Sequence, residues 1–321
     1  MSARADTSAH PKDFLSLADW TRDALERIVD RSLELKELRR KGSPTRTLEG
    51  RSIALYFEKP SLRTHVTFEV GAFELGAHPV FLPPGQVRVG TRESVADVAR
   101  NLSRWCHALV ARTFSHALVE DLARYASIPV INALTDHLHP CQAMADAMTI
   151  AEHRKLAGAR LVYLGNGNNV ACSLIHLAGR CGLRLTVCTP PDLPPAEAVL
   201  SWGAEAAARA GGEVRHEVDP LAAVRDAEFL YTDTWHDMGE EAQADERRLI
   251  LAPYQLNREL VERASPEVRI LHCQPAHAGE EITQEVLESN RSLVFEQAEN
   301  RLHAQKAILE TLVADPSHSR P

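Results

Sequence analysis

Six times along this chain a short apolar run stops at a small polar group: 61–64, 112, 139–142, 165–169, 233–238 and 272–277. Where a helical pattern follows, the order is strand, polar loop, helix, and its repetition constrains the fold more than any other feature. Parallel strands need crossover connections, and helices then cover both sheet faces. In such sheets ligands bind beyond the carboxyl ends of the strands, where these polar groups fall. The expectation is an α/β protein of two doubly wound parallel-sheet domains.

The first half supplies apolar runs at 53–57, 79–82, 108–111 and 129–132, and the second half at 161–164, 185–188, 214–217, 229–232 and 269–273. Three- and four-residue apolar spacing predicts helices over 13–41, 93–106, 118–126, 141–153, 197–211 and 299–313. A polar break at 154–159 separates the halves. The predicted organisation is a first domain over 1–150, a second over 151–290, and a C-terminal segment, 291–321, whose helix packs back on the first domain.

The chain has 321 residues, 44% hydrophobic and 25% charged, which suits a soluble globular protein. A net charge of −8 with mixed signs lacks the basic face that nucleic acid requires, yet leaves room for a locally basic site. The six cysteines (106, 141, 172, 181, 188, 273) form no CxxC pair and read as reduced thiols in a cytoplasmic protein. No apolar run suggests a signal peptide or a membrane span, so neither membrane nor nucleic acid is an expected partner. Both ends, 1–12 and 315–321, read as frayed.

The stretch Tyr56–Val70 is a strand, then Lys59-Pro60-Ser61-Leu62-Arg63-Thr64, then a helix start whose apolar residues, Val66, Phe68, Val70, Phe73 and Leu75, are expected to bury against the strand. Free N–H groups and the dipole at a helix N-terminus, together with a guanidinium fork, suit a phosphate; Ser61 and Thr64 also suit plain N-caps. Arg112 ends a strand and could reach a ligand there or stay on the surface. His137-Leu138-His139-Pro140-Cys141-Gln142 offers metal-ligand types, but no second cluster at structural-zinc spacing. His139 and Gln142 can instead donate to a carbonyl oxygen. Gly165-Asn166-Gly167-Asn168-Asn169 lacks the third glycine of a dinucleotide fingerprint, and the next strand ends in Cys188-Thr189 without an acid, so no nicotinamide is expected. Asparagines at that helix start suit a zwitterion's carboxylate. Asp233 and Asp237 suit an ammonium group. His272-Cys273 is a weak candidate dyad.

Taken together, FEKPSLRT, HPCQAMAD, GNGNNV, DTWHDMG, HCQPAH and FEQAENRLHAQKAIL resemble, in order and spacing, the aspartate/ornithine carbamoyltransferase family, over about 13–313. DxWxxMG and HCxPAH place the resemblance nearer its ornithine branch. That resemblance implies transfer of a carbamoyl group from carbamoyl phosphate to L-ornithine, no cofactor and no metal, with an interdomain active-site cleft, in a homotrimer with sites between subunits. It implies that Ser61, Leu62, Arg63 and Thr64 hold the phosphate, and that Arg112, His139, Gln142 and Arg301 bind phosphate and carbamoyl oxygen. Asn169, Asp233 and Met238 would hold the amino-acid end of ornithine. Cys273 would sit beside the amine, with the Gln274 backbone on the carbamoyl group; Cys273, Arg112 and His139 are the implied catalytic residues.

Three positions depart from the family pattern. Asp237 replaces a serine at the amino-acid end of ornithine, Gln274 replaces a leucine, and Arg88 replaces a glutamine in the loop that reaches the neighbouring subunit. These leave the acceptor open on sequence: ornithine, another amine (putrescine, an acylated ornithine, a specialised amino acid), or no acceptor at all in a carbamoyl-phosphate-binding homologue.

Overall fold

A computed structural model describes residues 10–43, 45–83, 85, 87–235 and 244–314. The first unit runs α1 (Arg22–Arg40), β1 (Ser52–Phe57), α2 (Leu62–Glu74), β2 (His78–Leu82), α3 (Val95–Trp105), β3 (Ala108–Arg112), α4 (His116–Tyr125), β4 (Val130–Leu134) and α5 (Pro140–His153). The second runs β5 (Arg160–Leu164), α6 (Asn169–Cys181), β6 (Arg184–Cys188), α7 (Glu197–Arg209), β7 (Glu213–Glu217), α8 (Pro220–Ala223), β8 (Phe229–Thr232), α9 (Ala244–Leu251), α10 (Arg258–Arg263), β9 (Arg269–His272), α11 (Gln284–Leu287) and α12 (Val294–Val313).

Every strand pairing is parallel. The sheets are ordered β2-β1-β3-β4 and β7-β6-β5-β8-β9. Central strands are buried on both faces, all five residues of β3 among them, as a helix-covered parallel sheet demands. The winding direction reverses between β1 and β3 in one sheet and between β5 and β8 in the other. Each reversal opens a crevice at the carboxyl ends, and the two crevices face one cavity.

Helix α12 belongs spatially to the first unit, packing against α5, α1 and α2. Its residues from Asn300 to Glu310 are all buried, so the polar members of that run must find partners inside the protein.

Two sequence expectations change. The helix expected over 13–41 starts only at Arg22. Phe14 instead adds to the edge of β4, with its N–H on the Val130 carbonyl and its own carbonyl on the Asn132 N–H. Ser16 caps a short 3-10 turn, and Thr21 caps α1 by accepting from the Ala24 N–H; these caps override the apolar spacing. The apolar segment after Thr64 does not bury as a whole. Phe68 and Leu75 enter the core, while Leu62, Val66 and Phe73 remain exposed on one side of α2.

Candidate active site

A cavity of about 610 Å³ lies between the two sheets and is lined by chain that follows β1, β3, β4, β5, β8 and β9. One half is cationic. Ser61 caps α2 by accepting from the Thr64 N–H at 3.2 Å, which leaves the helix's first amide dipoles facing the cavity. Thr64 is fully buried, and its Oγ1 accepts from Arg301 Nη2 at 2.5 Å and from Arg112 Nη1 at 3.4 Å. Arg112 comes from the end of β3, Arg301 from α12 and Arg63 from the first turn of α2. Three guanidiniums therefore converge on one wall.

Among the described residues none of the three forms a salt bridge with a carboxylate, Asp233 acting on Arg63 only from a distance, and the buried Nε atoms of Arg112 and Arg301 have no hydrogen-bond partner. Burial, then the neighbouring Arg301 and Arg63 guanidiniums, pushes Arg112 down to about 9, which still leaves it charged near neutrality. Burial lowers Arg63 and Arg301 as well. Buried charges of one sign without counterions are costly, so this wall is complementary to an anion.

His139 is the N-cap residue of α5, set by Pro140 in the first turn and by its own N–H on Ser173 Oγ at 2.7 Å. Burial first, then Arg301, Arg112 and Arg63, holds the imidazole well below its ordinary 6.5, so it is neutral. Its Nδ1 is buried without a partner. A neutral ring beside two guanidiniums can donate to a developing oxyanion.

The opposite half is hydrogen-bonded within itself. Cys273, just after β9, donates its thiol to Asp233 Oδ1 at 2.8 Å, and Asn168 Nδ2 donates to Asp233 Oδ2 at 2.7 Å. Burial and the Asp233 carboxylate raise Cys273 well above 9.0, so it is a thiol, not a thiolate. Asn169 lines the cavity and donates to the Thr135 carbonyl at 2.7 Å. Gln274 adopts φ 61°, a region rare for a non-glycine residue, and its N–H donates to His272 Nδ1 at 2.8 Å. That bond puts the imidazole proton on Nε2, which donates to Glu281 at 2.9 Å.

Ser61, Leu62, Arg63, Thr64, Arg112, His139, Asn169, Asp233, Cys273, Gln274 and Arg301 thus share one cavity. Gln142 does not line it. Its Oε1 accepts from Arg301 Nη1 at 2.9 Å, one layer behind the wall. Arg88 is exposed and does not line the cavity of its own chain. Asp237 and Met238 lie outside the described residues.

The metal-like motif diverges: His137 packs edge-on to His116, His139 faces the cavity, and the Cys141 thiol turns into the core onto the Asn132 carbonyl. The GNGNN turn leaves no cradle for a pyrophosphate. Gly167 is packed against the Pro194–Pro195 backbone, and Asn168 Oδ1 already accepts from the Val170 and Ala171 N–H groups.

Sequence reasoning missed Lys59, Thr234, Arg248, His277 and Glu280, all of which line the cavity. Lys59 stood in plain view in the FEKP run; it pairs with Asp136 and sits 4.5 Å from the Phe114 ring centroid. Arg248 belongs to α9 and donates to Glu280 at 2.9 Å; no motif announced it.

Comparison with known proteins agrees with this geometry. Residues 12–152 match the model of the aspartate/ornithine carbamoyltransferase carbamoyl-P binding domain, and residues 157–312 match that of the Asp/Orn binding domain. The chain is 47% identical over 299 residues to the ornithine carbamoyltransferase of Thermococcus kodakarensis, covering 93% of this chain and 95% of that one. It is also 47% identical over 304 residues to that of Parafrankia sp., covering 94% and 96%. The structure of ornithine carbamoyltransferase from Pyrococcus furiosus superposes with a TM-score of 0.92 at 45% identity, over 95% of this chain and 97% of that one. From its paired parallel sheets to the arginine wall between them, the chain belongs to the aspartate/ornithine carbamoyltransferase family.

Proposed function

We propose that this protein transfers the carbamoyl group of carbamoyl phosphate to the side-chain amine of L-ornithine, giving L-citrulline and phosphate for arginine synthesis. The observation that carries the reading is the cluster of Arg63, Arg112 and Arg301, which converge on one wall with no carboxylate partner among the described residues. A dianionic phosphate supplies the missing counter-charge, and Ser61 and the α2 amides complete its cradle. Relatives named ornithine carbamoyltransferase, from Thermococcus kodakarensis and Parafrankia sp. among others, support the acceptor assignment, and one, from Pyrococcus furiosus, carries the word anabolic.

In this reading the uncharged amine adds to the carbonyl carbon while Arg112 and His139 receive the developing oxyanion; one such donor contributes roughly 3–4 kcal/mol. The C–O bond to phosphate then breaks, and the leaving group stays on the three guanidiniums. The nitrogen sheds one proton. Cys273 is already protonated and bonded to Asp233, so it orients the amine, and the departing phosphate is the better acceptor for that proton. Asp233 and Asn169 face the amino-acid end of ornithine.

The same reading makes the protein a cytoplasmic homotrimer in which Arg88 reaches the neighbouring subunit's phosphate site. Support comes from the exposed Arg88, from the exposed apolar stripe Leu62, Val66 and Phe73 on α2, and from six unpaired cysteines. Light scattering checks the assembly; a particle of about one chain's 35.5 kDa would remove the shared site. For the reaction, purified protein with carbamoyl phosphate and ornithine is expected to release phosphate and form a ureido product in equal amounts. Phosphate release without that product would overturn the transfer.

A further inference from the structure

Two asparagines stand side by side at the start of α6, and they face different things. Asn169 lines the cavity; Asn168 does not. Asn168 is the N-cap residue of α6, and its Oδ1 accepts from the Val170 N–H at 3.0 Å and from the Ala171 N–H at 3.1 Å. A third donor reaches the same oxygen, the Tyr163 hydroxyl at 3.1 Å. Tyr163 is fully buried on β5, in register with Tyr231 on β8, and the two rings lie 5.9 Å apart. Its hydroxyl is therefore held by packing on the sheet.

A side-chain amide has an acceptor at one end and two donors at the other. Three donors on Oδ1 settle which end of Asn168 faces the helix. The NH₂ is left facing Asp233, and it donates to Oδ2 at 2.7 Å. If the amide turned over, its donors would meet two backbone N–H groups and its oxygen would meet a carboxylate. The other Asp233 oxygen, Oδ1, receives the Cys273 thiol at 2.8 Å. Asp233 is thus gripped at both oxygens, from the start of α6 and from the end of β9. Capping alone does not call for asparagine here. Serine or aspartate caps a helix about as well, and neither has an N–H to offer Asp233.

We propose that Asn168 is a positioning residue for the acceptor: oriented by the α6 amides and the Tyr163 hydroxyl, it fixes the Asp233 carboxylate that faces the amino-acid end of ornithine. The inference rests on the transfer reading above. It divides the work of the adjacent pair, with Asn169 in the cavity and Asn168 one layer behind it.

Asn168→Ser keeps the cap and removes the N–H donor to Asp233. The KM for ornithine is expected to rise about tenfold, the loss of one charge-assisted hydrogen bond, while the KM for carbamoyl phosphate stays within about twofold. Asn168→Asp also keeps the cap but sets one carboxylate against another, so its ornithine KM is expected to rise further, by about thirtyfold. Adding Asn168→Ser to Asp233→Asn should raise the ornithine KM no further than Asp233→Asn alone, because the first residue acts through the second. An Asn168 that only capped α6 would leave the ornithine KM of Asn168→Ser where it was. That result, an equal rise in both KM values, or fully additive effects in the double variant overturns the proposal. Should Asn168→Ser not fold, Asn168→Asp decides on the same two constants: a selective rise for ornithine supports the proposal, and any other pattern rejects it. Wild-type turnover is measured first. No product from ornithine refutes the function and this inference with it, whereas normal wild-type turnover with an unchanged ornithine KM in the variants refutes this inference alone.

Discussion

The two walls of the cavity are built on opposite principles. The phosphate wall carries like charges on regular elements: Arg112 at the end of β3, Arg301 inside α12, Arg63 in the first turn of α2. Burial lowers all three, and neighbouring guanidiniums lower Arg112 and Arg301 further. The amine wall carries Asp233, Asn168 and Cys273, already satisfied by one another. One wall is strained until its ligand arrives; the other is at rest and must exchange a hydrogen bond to take its substrate. A family can therefore keep one donor and vary the acceptor, because the donor's site is fixed by scaffold and the acceptor's by loops.

The largest expected effect tests the strain. Arg112→Met should lower kcat/KM by on the order of 10³, as for a lost oxyanion donor. It should also raise the melting temperature of the ligand-free protein, because an uncompensated buried charge is gone. Loss of both activity and stability would mean the wall is not strained. On the other wall, Asp233→Asn is expected to raise the ornithine KM by roughly tenfold to a hundredfold, the loss of a charge-assisted contact. It should leave the carbamoyl phosphate KM within about twofold; parallel rises in both would erase the distinction between the walls. Cys273→Ser keeps a donor toward Asp233, so kcat should fall only about tenfold. A drop beyond about 10³ would show that the sulfur takes a direct part in the chemistry.

The smallest effect is on pH. His139 is held well below 6.5 by burial, and His176 and His303 are pushed down to about 4 for the same reason. Below pH 6.5 the unfolded chain binds protons that the folded chain does not, so stability falls as pH drops. Each of the three contributes at most about 1.4 kcal/mol per pH unit below that point. Thermal melts from pH 7.5 to 5.5 should show a declining melting temperature, flattened in His303→Gln; an identical slope in that variant would contradict the assignment.

Much of this was legible in the chain itself. Strand ends could be read because apolar runs stop abruptly at Lys59, Arg112, Asn166 and Asp233, and the arginine wall follows from those stops. What could not be read depends on partners far away in sequence. Asp146 meets Tyr231 and Gln297 across separations of 85 and 151 residues, and nothing local marks it in a helix of small apolar residues. Gln142, expected on the substrate, accepts from Arg301 across a separation of 159 residues. Asn168 looks like a carboxylate binder until its amide is found on Asp233 and its oxygen on the α6 cap. The segment 13–21 has helical spacing, yet its serine and threonine caps send it along β4.

On the proposed reading, the arginine wall selects carbamoyl phosphate and the Asp233 wall selects ornithine from among amines. The most direct test is competition: isotopically labelled carbamoyl phosphate in an equimolar mixture of ornithine, putrescine and N-acetylornithine, with the ureido products resolved by mass spectrometry. Labelled citrulline as the dominant product is the predicted result. A dominant ureido product of putrescine or acetylornithine would contradict it.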